Sequence, residues 1–201
     1  MNDITGIVLA GGRSRRFGSN KALATWESGL TLVETIVKKV ALLFPEVLVL
    51  VKDIESYNFL EREGVQVAPD LYPDFHSLGG IYTGLSLATT PYVFVCACDM
   101  PFIKPGLVQA ITKKRAQYDA VIPRYKDTLQ PLCGVYSKKC LTPIQKMIDG
   151  RQFQIIKLFE KINSHFIVGE ETNRLDKNGQ SFLDIDTIDD FVRAKKLTTR
   201  W

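Results

Sequence analysis

Short runs of β-branched residues alternate with segments of helical periodicity along most of the chain, and this alternation is the strongest constraint on its fold. The run Val47–Val51 is apolar at every position, which is typical of a strand buried on both faces of a parallel sheet. Before it, Leu32, Ile36 and Val40 recur at helical spacing. Strands that alternate with helices form βαβ units. The pattern therefore predicts an α/β domain of three layers, with a mostly parallel sheet between two layers of helices.

The same criteria assign elements along the whole sequence. Thr31 and Glu34 have the spacing of a capping box, which marks the start of a helix. The predicted strands are residues 4–10, 47–51, 65–68, 92–98, 120–122, 132–136 and 165–168. The predicted helices are residues 31–44, 54–62, 80–88, 105–117, 138–148, 153–161 and 187–196. Since no repeat, low-complexity tract or linker interrupts this order, we expect a single domain over residues 1–201.

Composition excludes several classes of protein. The formal net charge is 26 − 22 = +4, which is too small for a surface that follows a nucleic-acid backbone, so no nucleic-acid partner is expected. Two histidines far apart in the sequence argue against a multi-histidine metal centre. The 4 cysteines lack zinc-site spacing and are too few for a disulfide scaffold. With neither a signal-like start nor a membrane-length apolar run, we expect a cytoplasmic protein with no membrane partner.

A loop rich in glycine and arginine follows the first predicted strand. In an open α/β sheet, ligands bind at the carboxyl ends of the strands. Gly11 and Gly12 would let backbone N–H groups approach a phosphate, and Arg15, Arg16 and Lys21 would supply positive charge. The glycine spacing matches neither a Walker A loop nor the G-x-G-x-x-G fingerprint. The loop indicates a polyphosphate site of another kind, and the alternative is a solvated basic turn.

Two aspartates follow predicted strands at the same edge of the sheet. Asp99 comes directly after the apolar run at residues 92–98, where Mg²⁺ could join its carboxylate to phosphate oxygens. The alternative is an N-cap or Asx turn ahead of Pro101. Asp70 follows the third predicted strand, and its carboxylate can accept hydrogen bonds from the N1–H and amino groups of guanine. The alternative for Asp70 is a turn aspartate.

These segments carry a resemblance to a known family. Residues 9–22 read LAGGRSRRFGSNKA, which is similar to the L-A-G-G-x-S-x-R-[MF]-G-x-[DN]-K-A signature of nucleotidyltransferases with the glycosyltransferase-A-like Rossmann fold, and most closely to molybdenum cofactor guanylyltransferases. The resemblance implies that Leu9, Ala10, Gly11 and Gly12 contact the nucleotide. It also implies that Lys21, with Arg15 or Arg16, binds phosphates. Asn20 departs from the pattern, because an acidic residue commonly precedes this lysine.

Other segments extend the resemblance. CDMPF at residues 98–102 resembles the family motif C-D-[MT]-P-[FY], which implies that Asp99 is the metal ligand. Residues 77–85 resemble G-P-L-A-G-I-x-x-G-L, which implies that Gly79 and Gly80 approach the ribose and base. Asp70 stands where the family has a nucleotide-binding aspartate. No equivalent is found for the family's nucleotide-contacting asparagine after the second strand, where Lys52 stands.

The acceptor side is expected in the second half of the chain. Residues 130–136 are similar to the family strand H-P-x-x-G/A-L-Y, and residues 182–191 to F-x-N-[IV]-N-T-P-E-D-L. The second similarity implies that Asp184 and Asp186, placed on a strand, bind the acceptor, and Thr187 is expected to cap the last helix. These positions are often asparagines in guanylyltransferases, whereas aspartates there are familiar from cytidylyltransferases. The implied division is a nucleotide-binding half at about 1–102 and an acceptor-binding half at about 103–201.

The resemblance as a whole implies Mg²⁺-dependent transfer of GMP from GTP to molybdenum-bound molybdopterin, with release of pyrophosphate. Proteins of cofactor biosynthesis or molybdoenzyme maturation would be the partners. One alternative is another nucleotidyltransferase of the same fold, such as a cytidylyltransferase. A second is a non-catalytic nucleotide-binding module that delivers cofactor to a partner. A third is an α/β domain whose basic loop binds nothing in particular.

Overall fold

The structure is a computed structural model, and it describes residues 1–12, 14 and 16–198. The strands are β1 (Ile4–Leu9), β2 (Val47–Val51), β3 (Val65–Pro69), β4 (Tyr92–Ala97), β5 (Ala120–Tyr125), β6 (Thr128–Leu129), β7 (Cys133–Ser137) and β8 (Ser164–Ile167). The helices are α1 (Leu32–Ala41), α2 (His76–Leu87), α3 (Pro105–Lys113), α4 (Leu141–Asp149), α5 (Glu170–Leu175) and α6 (Ile188–Thr198). Within these ranges, every helix is too short or too polar to cross a membrane.

The strands of the described residues form one 8-stranded sheet in the order β3-β2-β1-β4-β7-β5-β6, with β8 also paired to β5. β3, β2, β1 and β4 run parallel to one another. β7 is antiparallel to both of its neighbours, β4 and β5, and β6 is antiparallel to β5. β8 runs parallel to β5. The prediction of an α/β fold with a mostly parallel central sheet is confirmed.

Helices cover both faces of this sheet. Because side chains alternate along a strand, Ile4 and Val8 of β1 belong to the core beneath α1 and α3, whereas Ile7 belongs to the core beneath α2 and α4. The same alternation separates Phe94 from Val95 in β4. All of these side chains are fully buried. The fold therefore has the expected three layers.

A smaller aromatic cluster joins the loop after β1 to the last helix. Phe17 and Trp26, which lie in that loop, both pack edge-on against Phe191 of α6, with ring centroids 5.5 Å and 5.2 Å apart. Buried Leu32 and Ile185 complete the cluster. This packing holds α6, and the segment that precedes it, against the loop that follows β1.

Several predicted boundaries are wrong. α2 begins at His76 rather than at residue 80, so Gly79 lies inside the helix instead of in the loop before it, and Gly80 is not its first residue. Close packing explains Gly79, since a Cβ atom there would lie 2.1 Å from the carbonyl oxygen of Tyr72. A glycine pair usually indicates a loop, but here Gly79 is required by close packing of α2 against Tyr72.

Other differences concern short elements. The predicted helices at 54–62 and 153–161 are 3-10 turns at Glu55–Leu60 and Ile155–Leu158. α3 ends at Lys113 and α4 begins at Leu141, so both are shorter than predicted. The pattern missed β6 and α5, which have 2 and 6 residues and are too short to carry a periodicity.

Candidate active site

The loops at the carboxyl ends of β1, β2, β3 and β4 meet at one edge of the sheet and surround two adjoining cavities. One cavity has a volume of about 390 Å³ and is bounded by the loop after β1 and by residues 52–57. The other has a volume of about 190 Å³ and extends to Asp70 and Asp99. Gly11, Gly12 and Lys52 line both cavities. Together they form a continuous groove where ligands bind in open α/β sheets.

Lys21 lies buried at the centre of this edge. It begins a 3-10 turn, Lys21–Leu23, that Asn20 caps by accepting a hydrogen bond from the N–H of Ala22. Its Nζ donates to Asp99 Oδ2 at 2.5 Å, to the carbonyl oxygen of Ile185 at 2.9 Å and to Asp186 Oδ1 at 3.2 Å. Burial alone would lower the pKa of Lys21, but the Asp99 carboxylate outweighs it and the pKa is raised. The ammonium group is therefore a permanent cation.

Asp99 follows β4 as the sequence predicts, and its carboxylate turns to Lys21. The N–H of Ile185 donates to the carbonyl oxygen of Asp99 at 3.2 Å, so the same residue is also joined to the C-terminal segment. Beyond it, Lys39 of α1 donates a hydrogen bond to the carbonyl oxygen of Pro101. The side-chain contact with Lys21 favours the functional interpretation of Asp99 over a turn aspartate.

Asp184 and Asp186 reach the site from the C-terminal segment, residues 183–187. The prediction that they lie on a strand is wrong, because this segment is irregular and joins a 3-10 turn to α6. In place of a neighbouring strand, Lys21 donates hydrogen bonds to the carbonyl oxygen of Ile185 and to the Asp186 carboxylate. Partial desolvation and the nearby Asp99 and Asp186 carboxylates raise the pKa of Asp184 to about 6.

An ion pair with a buried carboxylate lies ahead of the C-terminal segment in the chain. Asp176 is fully buried and lies 2.7 Å from the ammonium group of Lys104, at the start of α3. It also accepts a hydrogen bond from the N–H of Ser181 at 2.6 Å. Burial would raise the pKa of Asp176, but Lys104 and Ser181 outweigh it and the pKa is lowered.

Thr187 caps α6 as predicted, through reciprocal hydrogen bonds with Asp190.

The carboxylates at this edge suit a hard divalent cation. Among the described residues, no group of three or more His, Cys, Asp and Glu could enclose a metal ion. Mg²⁺, however, is commonly held by one or two carboxylates together with substrate phosphates. Asp99 and Asp186 both contact the ammonium group of Lys21, so their carboxylates lie close together. Asp99 and Asp186 could therefore hold Mg²⁺ that arrives with a polyphosphate.

Asp70 is oriented by its own surroundings. Thr83 Oγ1 donates to Asp70 Oδ1 at 2.9 Å, and the N–H of Tyr72 donates to the same oxygen at 3.0 Å. Its second carboxylate oxygen has no hydrogen-bond partner among the described residues, and the side chain lines the smaller cavity. The second oxygen is therefore placed to accept hydrogen bonds from a ligand in this cavity. That Asp70 binds the nucleotide remains a prediction.

The other predicted residues are distributed around the groove. Leu9 and Gly80 line the smaller cavity, Ala10 lines the larger one, and Gly11 and Gly12 line both. Gly79 packs beneath Tyr72 and does not line either cavity. Arg16 is exposed in the turn that precedes Phe17. Arg15 lies outside the described residues.

Several residues that were not predicted to belong to the site also line the groove. Lys52 stands at the end of β2, and Ser56 and Tyr57 lie in the following 3-10 turn. The position of Lys52 at the carboxyl end of a strand was the signal that could have identified it. His76 lines the smaller cavity with a left-handed backbone, φ +50°, which a non-glycine residue adopts at some energetic cost.

Comparison with known proteins gives a consistent picture. A family model described as "MobA-like NTP transferase domain" matches residues 6–164. A protein of Pelotomaculum thermopropionicum named "Probable molybdenum cofactor guanylyltransferase" is 34% identical over 97% of this chain and 93% of its own. One from Desulfosudis oleivorans named "Molybdenum cofactor guanylyltransferase" is 30% identical, covering 97% of this chain and 96% of its own.

Solved structures agree in fold. The crystal structure of "Molybdopterin-guanine dinucleotide biosynthesis protein A" from Archaeoglobus fulgidus superposes with a TM-score of 0.84 and 27% identity, over 98% of this chain and 100% of the other. A nucleotidyl transferase from Methanothermobacter thermautotroptrophicus, at 18% identity and a TM-score of 0.74, shares the fold alone.

Proposed function

Because the chain belongs to the MobA-like NTP transferase family and is a nucleotidyltransferase, we propose that it transfers GMP from GTP to the terminal phosphate of molybdenum-bound molybdopterin. The observation that carries the proposal is the ion pair between Lys21 and Asp99. The pair lines the same cavity as the glycine loop and Asp70. Relatives named molybdenum cofactor guanylyltransferase at 30–34% identity support the choice of donor and acceptor.

The reaction needs position and charge more than it needs a base. An oxygen of the acceptor phosphate attacks the α-phosphorus of GTP, a new P–O bond forms, and the bond from the α-phosphorus to the β-phosphate oxygen breaks. Pyrophosphate leaves with that electron pair. The attacking oxygen is already anionic, so no proton has to be removed, and catalysis rests on in-line placement and neutralised charge.

Each side chain has a role in this scheme. Lys21 contacts the α-phosphate and stabilises the negative charge that develops there, with Arg15 or Arg16 on the outer phosphates. Gly11 and Gly12 present backbone N–H groups to the phosphates. Asp99 holds Mg²⁺, which when bound would neutralise phosphate oxygens and orient them. Asp70 accepts hydrogen bonds from the Watson–Crick edge of guanine.

The acceptor would lie on the side of the groove formed by the second half of the chain. Asp184 and Asp186 stand there, and Leu132 lines the smaller cavity. Under this proposal residues 1–102 bind the nucleotide and residues 103–201 bind the acceptor, within one domain. The two aspartates also keep a cytidylyltransferase as the second candidate, because aspartates at these positions are familiar from enzymes that use CTP.

The test is an assay for pyrophosphate release with purified acceptor and Mg²⁺, run separately with GTP, CTP, ATP and UTP. We expect release with GTP in preference to the other nucleotides, and loss of release in Asp99→Asn. Glu63→Gln, which removes an exposed carboxylate in the turn before β3, is the control for the same change of net charge. Preferential release with CTP would replace the guanylyl assignment. Binding of GTP without release would favour a non-catalytic nucleotide-binding module.

A further inference from the structure

Tyr57 has a buried hydroxyl group at the floor of the larger cavity. The residue lies in the 3-10 turn after β2 and is 2% exposed. Its ring packs with the core beneath α1, and its side chain lines the cavity together with Asn20. Burial raises the pKa of Tyr57, so the phenol stays protonated and remains a hydrogen-bond donor.

This hydroxyl group joins the two ends of the glycine- and arginine-rich loop. The side-chain amide of Asn20, immediately before Lys21, donates to Tyr57 Oη at 2.9 Å. The hydroxyl group can itself donate either to Asn20 Oδ1 at 3.2 Å or to the carbonyl oxygen of Ala10 at 3.4 Å, directly after β1. We call the set of Ala10, Tyr57 and Asn20 the Tyr57 bridge. The bridge links Ala10 and Asn20, which flank the loop, to Tyr57, which lies outside it.

The chemistry of Asn20 matches this bridge. Its Oδ1 accepts from the N–H of Ala22 at 3.2 Å and thereby caps the turn that begins with Lys21. Its Nδ2 donates to Tyr57. A carboxylate could cap the turn but could not donate a hydrogen bond to Tyr57 Oη. The bridge gives a physical reason for an amide at this position.

We propose that Tyr57 is a positioning residue of the nucleotide site, whose hydroxyl group holds the phosphate-binding loop closed between Ala10 and Asn20. The proposal rests on the proposed function for its kinetic consequence. Ordering a flexible loop when a ligand binds costs conformational entropy, which weakens binding. Because the hydrogen bonds of Tyr57 order the loop before the ligand arrives, less of this entropy is lost on binding. Lys21 itself keeps its contacts with Asp99 and Ile185, so the bridge acts on the loop more than on the ammonium group.

The experiment separates the hydroxyl from the ring. Tyr57→Phe removes Oη and keeps the packed ring, and Tyr118→Phe removes a hydroxyl at the opposite end of the sheet as the matched control. Asn20→Ser keeps a good N-cap but is too short to reach Tyr57. Kinetics with GTP give KM and kcat, thermal unfolding gives stability, and amide hydrogen exchange reports opening of residues 10–20.

We expect Tyr57→Phe to raise KM for GTP by about 10-fold while kcat changes by less than about 3-fold, since one buried hydrogen bond to the binding loop is lost. Exchange at residues 10–20 should speed up without a change elsewhere. Asn20→Ser should reproduce both effects, and the double variant should add little, because the two changes break the same link. Tyr118→Phe should leave KM and exchange in the loop unchanged.

Two results would overturn the proposal. A lower melting temperature with unchanged KM and unchanged loop exchange would mean that the hydroxyl only supports the core. Additive effects of Tyr57→Phe and Asn20→Ser would mean that the residues act separately. If the wild-type chain releases no pyrophosphate with GTP, the proposed function fails, but faster loop exchange in Tyr57→Phe would still support the bridge.

Discussion

Two regions of the molecule build the same site by different means. In the first half, parallel strands β3, β2, β1 and β4 end at one edge, and the residues that follow them include Asp70, Lys52, the glycine loop and Asp99. In the second half, the C-terminal segment reaches this edge as irregular chain, held by Lys21 and an aromatic cluster. The first region is positioned by its sheet, whereas the second is positioned by its contacts. The second should therefore be easier to displace.

The largest effect is expected where the two regions meet. Lys21→Met removes the cation that Asp99 and Ile185 share, and with it the charge proposed to act on the α-phosphate. We expect kcat to fall about 100- to 1,000-fold. Stopped assays of pyrophosphate release measure the loss, with Lys113→Met as the charge control. A loss below about 3-fold would show that the junction is structural rather than catalytic.

The aromatic cluster tests the second region directly. Phe191→Ala removes the ring that contacts both Phe17 and Trp26. Because the ring is partly buried, we expect the free energy of unfolding to fall by about 2–3 kcal/mol. KM for GTP should rise as the C-terminal segment loosens, and Trp26 emission should shift to the red. Leu42→Ala, at a side chain that is 85% exposed, is the control and should change neither quantity.

The two capping boxes give a smaller and more selective comparison. Thr31 caps α1 in the first region, and Thr187 caps α6 in the second. Each threonine-to-alanine change should lower the free energy of unfolding by about 1 kcal/mol. Only Thr187→Ala should also lower pyrophosphate release, because Thr187 adjoins Asp186. Equal activity in the two variants would contradict the idea that the second region is the easier to displace.

The smallest effect concerns pH. The pKa of Asp184 is raised to about 6, so the folded chain binds this proton more tightly than the unfolded chain does. The stabilisation that this proton gives to the folded chain is therefore complete at pH values below the ordinary pKa of aspartate. It is lost as the pH rises through about 6. Because Asp184 is exposed, the loss should stay below about 1 kcal/mol.

Asp184→Asn removes this titration. In metal-free buffer, the variant should gain in unfolding free energy relative to the wild type as pH rises from 4 to 7, since its side chain is never charged. Denaturant unfolding at both pH values measures the difference. A constant difference between the two proteins would mean that neither burial nor the nearby carboxylates raise the pKa of Asp184 in the folded chain.

The contrast between the regions also explains how far the sequence could be interpreted. Lys21 and Asp99 were predicted because each lies in a local motif or directly after an apolar strand, and these are signals that neighbours in sequence carry. The role of Ile185 could not be predicted, since it acts through backbone atoms that every residue has. The hydroxyl of Tyr57 acquires its role only when β1 and β2 pair and bring Ala10 near it. Likewise, the antiparallel position of β7 between β4 and β5 depends on contacts between distant strands.

The tie between Lys21 and Ile185 also has a consequence for synthesis on the ribosome, where chains fold from the N-terminal side as they emerge. β1 and both of its neighbours, β2 and β4, lie within the first half, so the nucleotide edge of the sheet can assemble early. The carbonyl group of Ile185 that completes the surroundings of Lys21 emerges well after β4. These strands can therefore be paired on the growing chain before the ammonium group of Lys21 has all of its partners.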